Sequence, residues 1–220
     1  MKKVVSFSLW GNNDHYTYGA IENAKSIGSE LYIGWESWFY THPLVSDKIQ
    51  EKIQTEGGKI IPTEDNPDYS MTFARFKPMT HDGVSIFVSR DCDSRVSDKE
   101  YQAVIEWEES DMQFHCIRDH RFHNDWAVMA GMWGCKRSGN AGLNELYERL
   151  IDFRKGDEYH NDQISLHSLY QKHSKNFLEH DGRARHNEKK FPNHKPFKHG
   201  SFIGERITHD NKPGPIEKWD

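Results

Sequence analysis

Two aspartates separated by one residue, Asp91 and Asp93, are the residues whose type and spacing point most directly to chemistry. They follow an apolar run over 84–89 that is typical of a buried strand. In an extended chain, side chains at positions i and i+2 point the same way, so the two carboxylates are expected to converge. Paired hard oxygen ligands suit Mg²⁺ or Mn²⁺, which keep open positions for the oxygens of a substrate phosphate.

Arginines stand on both sides of this acidic pair. Arg90 and Arg95 could either neutralise the carboxylates or supply positive charge for a diphosphate. Cys92, between the two aspartates, is expected to point the other way, into the core. An isolated Asp-x-Asp is often only a polar loop, so the elements around it must decide between a metal site and a structural turn.

Strand-like and helix-like patterns alternate around the acidic pair. Strands are predicted over 4–9, 31–35, 59–62, 84–89 and 114–117. Helices are predicted over 21–27, from an N-cap at Ser46, from a capping box at 97–100, over 143–151, and over 162–170 with Asn161 as N-cap. This β-α-β order predicts an α/β fold with a mostly parallel sheet, in which ligands bind outside the carboxyl ends of the strands.

Length and charge narrow the class of protein. The 220 residues suit one domain, predicted to span 1–220, and the net charge of −5 argues against a nucleic-acid partner. No run approaches the roughly 18 apolar residues of a membrane span, and the three cysteines lack disulfide or zinc spacing. A cytoplasmic protein is expected, in the host cytoplasm for a viral protein. The segment 175–220 is predicted to be a loop-rich, basic stretch that closes the site.

Several short motifs occur in a fixed order over nearly the whole chain. They are Asp91-Cys92-Asp93-Ser94-Arg95, Arg118-Asp119-His120, Gly131-Met132-Trp133-Gly134, Asp162-Gln163, His180-Asp181 and Phe202-Ile203-Gly204-Glu205. As an ordered set they resemble the GT-A-type glycosyltransferases, in particular small bacterial and viral members. Two positions depart from that pattern: Arg121 stands where a proline is expected, and Ala130 where a glycine is expected.

The resemblance implies a GT-A fold, with a Rossmann-like, mostly parallel sheet flanked by helices. It implies transfer of a sugar from a UDP- or GDP-sugar donor to a glycan or other hydroxyl acceptor. A divalent cation, Mn²⁺ or Mg²⁺, held by Asp91, Asp93 and His180, would act as a Lewis acid on the departing diphosphate. Asp162 and Gln163 take the catalytic positions. Whether Asp162 is the base of an inverting reaction or a positioning group in a retaining one stays open.

The resemblance also suggests two groups of binding residues. The first would bind the donor nucleotide: Ser8, Trp10, Gly11, Asn12, Tyr16, Arg75, Asp91 and Lys195. The second would bind the donor sugar or the acceptor: Arg90, Arg95, Arg118, Asp119, His120, Gly131 and Trp133. Each has a structural alternative, such as a core position for Trp10, an ion pair for Arg75 or Arg118, and a helix-dipole role for Asp162.

Two other classes of function fit the same residues. The carboxylate pair would also serve a nucleotidyltransferase or a phosphohydrolase. Alternatively, the 14 histidines would fit a non-catalytic module that binds a carbohydrate or a metal. The sequence leaves the donor sugar, the acceptor, the stereochemistry and the oligomeric state open.

Overall fold

The computed structural model describes residues 1–137, 143–153, 158–182 and 188–214. The strands in these residues are β1 (Lys2–Leu9), β2 (Glu36–Thr41), β3 (Lys59–Pro62), β4 (Val84–Arg90), β5 (Phe114–Arg118), β6 (Met132–Lys136) and β7 (Phe177–Asp181). They form one sheet in the order β3-β2-β1-β4-β6-β5-β7. All neighbouring strands are parallel except β6, which is antiparallel to both β4 and β5. The predicted mostly parallel α/β sheet is therefore confirmed.

Helices cover both faces of this sheet. The α-helices are α1 (Asp14–Ser26), α2 (Asp47–Thr55), α3 (Asp98–Glu109), α4 (Leu143–Ile151) and α5 (Asn161–His173). Side chains of α1, α2 and α3 share one hydrophobic cluster, and those of α4 and α5 share the cluster on the other face. The second cluster also contains a long 3₁₀ helix, Tyr69–Thr80. Of the helices in the described residues, none is long and apolar enough to cross a bilayer.

The alternation along β1 explains how one strand serves both cores. Val4 packs into one hydrophobic cluster, whereas Val5 and Phe7 pack into the other. Successive side chains of a strand point to opposite faces, so a strand covered on both sides reads as a continuous apolar run. The central strand β4 follows the same rule, and its buried position carries the chain to the acidic pair that follows it.

Most of the predicted elements are present, with bounds shifted by a few residues. The predicted strand over 31–35 is wrong, because this segment turns and the strand begins at Glu36. Gly34 and Tyr32 have positive φ angles of 81° and 52°, which an extended strand excludes. Tyr32 packs its ring edge-on against Trp35 in the core. The chain therefore buries these aromatic rings by curling rather than by extending.

The C-terminal segment is only partly a loop. Residues 177–181 form β7, the edge strand that pairs with β5, so the predicted loop-rich stretch begins later than position 175. Part of the basic run, including Arg183 and Arg185, lies outside the described residues. Beyond it, Phe202 and Arg206 reach the cleft at the carboxyl ends of the strands.

Candidate active site

A cleft of about 370 Å³ lies at the carboxyl ends of the central strands, and Asp91 and Asp93 line it. Asp91 is the first residue after β4, and its side chain is 46% exposed. The side chain of Asp93 is 20% exposed, and its Oδ2 lies 3.9 Å from Nε of Arg206. The buried Cys92 between them points away from solvent, as expected. Both carboxylates therefore border the same cleft.

The charge of Asp91 affects the protonation of Asp93. Burial, together with the negative charge of Asp91, raises the pKa of Asp93 to about 6, while Arg206 opposes the shift. Two neighbouring carboxylates in a partly buried cleft attract cations. Arg75 forms an ion pair with Asp91, so part of the negative charge of the two carboxylates is neutralised by a side chain of the protein itself.

Arg75 joins the acidic pair to the start of α5. It lies in the long 3₁₀ helix and is only 5% exposed. One guanidinium nitrogen, Nη1, donates to Oδ1 of Asp91, and Nη2 donates to Oδ2 of Asp162 at 2.6 Å. The other oxygen of Asp162 accepts from the backbone N–H of Gln163 at 2.8 Å. Burial raises the pKa of Asp162, and the adjacent charge of Arg75 lowers it. Residues distant in sequence thus form one ionic cluster on the cleft wall.

The loop before β6 is fitted closely against this cluster. A Cβ atom at Gly131 would lie 1.8 Å from Oδ2 of Asp91, so only glycine leaves the carboxylate its position. The buried hydroxyl of Ser89 donates to the carbonyl of Ala130 at 2.8 Å and holds this loop in place. The departure from the resembled motif at Ala130 leaves this approach intact. Gly131 therefore leaves the space that the carboxylate of Asp91 occupies.

The oxygen atoms of Asp91 and Asp93 are the type of ligand that a divalent cation prefers. They are two residues, however, whereas three protein ligands were expected. Asp91 and Asp93 offer oxygen ligands, which Mg²⁺ and Mn²⁺ prefer. Among the described residues, no group of three or more His, Cys, Asp and Glu side chains is arranged to hold a metal. Within the described part of the chain, Asp91 and Asp93 are therefore the two side chains that would hold a cation at this position.

His180 was expected to be the third ligand, and the structure corrects this. It lies within β7, is fully buried, and is not among the residues that line the cleft. Its Nδ1 is 2.9 Å from Nε2 of His115, and its Nε2 is 2.9 Å from Oε2 of Glu106. Both ring nitrogens are thus engaged in a buried network. The sequence motif alone did not reveal which side of β7 this residue faces.

Two arginines beside the acidic pair have structural roles instead of the predicted contacts with the sugar. Arg90 is 2% exposed, and its Nε donates to Oε1 of Glu100 at 2.8 Å, while Nη2 donates to the hydroxyl of Tyr32. Arg95 donates to the backbone carbonyls of Ser94 and Thr208, both at 3.3 Å. In each case the guanidinium stabilises the fold around the acidic pair without lining the cleft.

The predicted sugar-binding motif 118–120 is likewise turned into the protein. Arg118 is 7% exposed and forms ion pairs with Glu179 and Asp181. The side chain of Asp119 contacts Lys99 and accepts from the backbone N–H of residue 203 at 3.0 Å. The ring of His120 stacks at 4.1 Å on that of Phe202, and this phenylalanine lines the cleft. The motif therefore holds in place the C-terminal segment that forms part of the cleft wall, and these contacts correct the predicted direct contacts with a sugar.

Trp133 is also a core residue rather than a sugar-binding one. It is fully buried, and its ring meets those of Phe76 and Phe87 edge-on, with centroids 5.2 and 5.4 Å apart. Lys195 is exposed and does not line the cleft, and its backbone N–H donates to Oδ2 of Asp98 at 2.6 Å. The burial of Trp133 corrects its predicted role, whereas the predicted contact between the Lys195 side chain and the donor stays a prediction.

The residues expected around the nucleotide divide into two groups. Ser8, Trp10 and Tyr16 line the cleft, and they also border a second recess that continues from it. Asn12 instead braces a loop, because its side chain donates to the carbonyl of residue 44 at 2.8 Å and accepts from the N–H of residue 46 at 2.9 Å. Gly11 has a φ of 70°, which lets the chain turn there, but it lines neither space.

Sequence reasoning missed a group of aromatic residues on the wall near α5. Tyr69, Tyr159 and His160 all line the cleft. The only available signal was the position of Tyr159 and His160 just before Asp162. Arg206 was missed as well, although it directly follows the motif 202–205.

No family model and no curated protein sequence matches this chain. Solved structures do resemble it. Glucosyl-3-phosphoglycerate synthase from Mycobacterium tuberculosis has a TM-score of 0.55 at 10% identity, over 82% of this chain and 70% of that one. The same enzyme in complex with Mn²⁺, UDP-glucose and phosphoglyceric acid also gives 0.55 at 10% identity, covering 82% and 69%. The galactosyltransferase LgtC, in complex with donor and acceptor sugar analogues, gives 0.50 at 15% identity, covering 82% and 74%. The fold is that of the GT-A glycosyltransferases.

Proposed function

We propose that this protein is a metal-dependent glycosyltransferase that moves a sugar from a nucleotide-diphosphate sugar to an acceptor hydroxyl. The observation that carries the proposal is the placement of Asp91 and Asp93 in a cleft at the carboxyl ends of the strands of a GT-A fold. Solved structures with this fold include one in complex with Mn²⁺ and UDP-glucose, which supports the donor class.

The chain's own residues divide the work as follows. Asp91 and Asp93 would hold the divalent cation, which supplies Lewis-acid stabilisation of the departing diphosphate. Arg75 fixes the position of Asp91 and, through Asp162, ties it to α5. Trp10 and Tyr16 offer aromatic surface for the base at the end of β1.

In the transfer itself, the acceptor oxygen bonds to the anomeric carbon, and the bond from that carbon to the diphosphate oxygen breaks. The diphosphate leaves with the electron pair, and the proton of the acceptor hydroxyl passes to an oxygen of the departing diphosphate or to water. Asp162 lies in the cleft wall but both its oxygens already accept hydrogen bonds, from Arg75 and from the N–H of Gln163. We therefore assign Asp162 a positioning role for Arg75 and for the sugar in preference to that of the proton acceptor.

The test is release of free nucleotide from a panel of UDP-, GDP- and CMP-sugars, with Mn²⁺ or with EDTA. Asp93→Asn should reduce metal-dependent release at least about a hundredfold, because a metal on the leaving group contributes several kcal/mol. Asp82→Asn is the matched control, since Asp82 is 97% exposed and lies just before β4, at the end opposite the cleft.

Absence of both nucleotide binding and nucleotide release with every donor would refute the proposal. Phosphate release from simple monoesters would favour a phosphohydrolase instead. Equal losses in Asp93→Asn and Asp82→Asn would mean that the acidic pair has no special role.

A further inference from the structure

Four aromatic rings follow one another along the cleft wall next to α5. The ring centroids of Tyr69 and Tyr159 are 5.0 Å apart, those of Tyr159 and His160 are 4.0 Å apart, and those of His160 and Trp126 are 5.4 Å apart. We call these four residues the aromatic row. Three of them line the cleft itself, and Trp126 continues the row beyond it. The row is thus a surface built beside the reaction site.

Two rings of the row are largely open to solvent. Tyr69 is 43% exposed and Tyr159 is 51% exposed. Aromatic rings gain free energy by burying their faces, so exposed rings that lie next to one another mark a binding surface. The backbone of His160 has a φ of 76°, a left-handed conformation that is uncommon for a residue with a side chain. This strained turn places the His160 ring between Tyr159 and Trp126.

The charges of the cleft indicate what kind of molecule can lie there. Five acidic residues line it: Asp91, Asp93, Glu158, Asp162 and Glu205. The two arginines that line it, Arg75 and Arg206, both lie beside these carboxylates. A phosphorylated or carboxylated acceptor would meet net negative charge, and like charges brought together oppose binding.

Polar groups beside the row can bind hydroxyl groups. Oε1 of Gln163 is buried and has no hydrogen-bond partner among the described residues, while its Nε2 is 3.0 Å from Nδ1 of His160. Burial, with the nearby charge of Asp91, raises the pKa of Tyr159 to about 12, so its hydroxyl stays protonated. An apolar face with a hydrogen-bond acceptor at its edge matches a pyranose ring, which has C–H groups on one face and hydroxyls around its rim.

We propose that the acceptor is a neutral saccharide whose ring stacks on the aromatic row. One of its hydroxyl groups donates a hydrogen bond to Oε1 of Gln163. This inference rests on the proposed glycosyltransferase function and names the substrate class of the same cleft. It excludes small anionic acceptors.

The experiment measures binding of the unmodified protein to an array of immobilised glycans, with and without UDP and Mn²⁺. The array carries neutral oligosaccharides together with sialylated and phosphorylated ones, and 3-phosphoglycerate is added as a soluble competitor. Titration of the strongest glycan then compares Tyr159→Ala with Tyr159→Phe. Phe153→Ala is the control, because Phe153 is 38% exposed but does not line the cleft.

Neutral glycans should bind, and 3-phosphoglycerate should not compete. Tyr159→Ala should weaken the glycan about tenfold, because the ring face is lost, whereas Tyr159→Phe should stay within about twofold. Thermal melting checks that each variant is folded. A preference for phosphorylated or sialylated glycans, no glycan binding at all, or equal losses in Tyr159→Ala and Phe153→Ala would overturn the inference. If the wild-type protein also binds none of UDP, GDP and CMP with Mn²⁺, the proposed function has failed; if one of these nucleotides binds and glycans do not, only this inference has.

Discussion

Replacing Arg75 by methionine tests whether the ionic cluster in the cleft has been assigned correctly. Methionine keeps much of the length of the side chain and removes its charge. Arg75 is 5% exposed and donates to Asp162 at 2.6 Å, and the side chain of Asp162 is itself only 9% exposed. The variant therefore leaves a buried carboxylate without its cation.

The size of the effect follows from the burial of each partner. Breaking a buried ion pair by removing one partner costs about 3–5 kcal/mol. The contact with Asp91 adds little, because that carboxylate is 46% exposed and solvent screens it. For a domain of this size each kcal/mol lowers Tm by about 2–4 °C, so Arg75→Met should lower Tm by about 6–20 °C.

Thermal unfolding followed by circular dichroism measures the change in Tm, and urea unfolding gives the free energies of unfolding for Arg75→Met, Asp162→Asn and the double variant. Because the two residues contact each other, the cycle should give a coupling energy of about 1–3 kcal/mol. Lys2→Met is the matched control, since Lys2 and Glu36 form an ion pair in which both side chains are more than 40% exposed. It should cost less than about 1 kcal/mol. A cost below about 1 kcal/mol for Arg75→Met, or a coupling energy near zero, would refute the assignment.

Four other outcomes are expected. Gly131→Ala should displace the carboxylate of Asp91 and weaken Mn²⁺ binding, measured by calorimetry, while circular dichroism stays native. Glu100→Gln should cost about 3–5 kcal/mol in urea unfolding, because a buried arginine loses its carboxylate. Burial holds the pKa of His123 at about 4 and that of His115 well below its usual value, so the unfolded state binds more protons below pH 6.5. The destabilisation due to His123 should therefore be absent above pH 6.5 and reach about 3 kcal/mol as pH drops towards 4, measured by urea unfolding as the difference between the wild type and His123→Gln. The difference is needed because Asp93, whose pKa is raised to about 6, acts in the opposite direction. EDTA should weaken binding of UDP itself, measured by calorimetry, because the acid-rich cleft repels a diphosphate.

Local sequence patterns predicted most helices and strands, but they did not predict the side-chain contacts between them. Ser97 caps α3 as predicted, with its hydroxyl oxygen 3.3 Å from the N–H of Glu100. The capping box also predicts that the Glu100 carboxylate accepts from the backbone N–H of Ser97. In the described part of the chain this carboxylate instead accepts from Arg90 and Tyr32. A buried guanidinium binds a carboxylate more strongly than a helix N-terminus does, and sequence spacing does not reveal that competition.

The site predictions divide along the same line. Asp91 and Asp93 could be placed in the cleft because both follow the carboxyl end of a buried strand. The extended geometry expected for them is absent, since β4 ends at Arg90 and residues 92 and 93 form a turn. Arg90, the last residue of β4, is buried. Tyr69 and Tyr159 are 90 positions apart in the sequence, and only the packing of the long 3₁₀ helix near the start of α5 brings their rings together. No short-range pattern contains that contact.

The charges of the arginines connect the fold to the proposed chemistry. Arg90 and Arg118 form ion pairs with carboxylates inside the fold, and Arg95 donates hydrogen bonds to backbone carbonyls. Within the part of the cleft that the structure describes, Arg75 and Arg206 face carboxylates of the cleft itself. A nucleotide diphosphate therefore finds no surplus of positive charge in these side chains. Under the proposed function, a cation held by Asp91 and Asp93 would balance that charge, and the two carboxylates would then favour binding of the donor instead of opposing it.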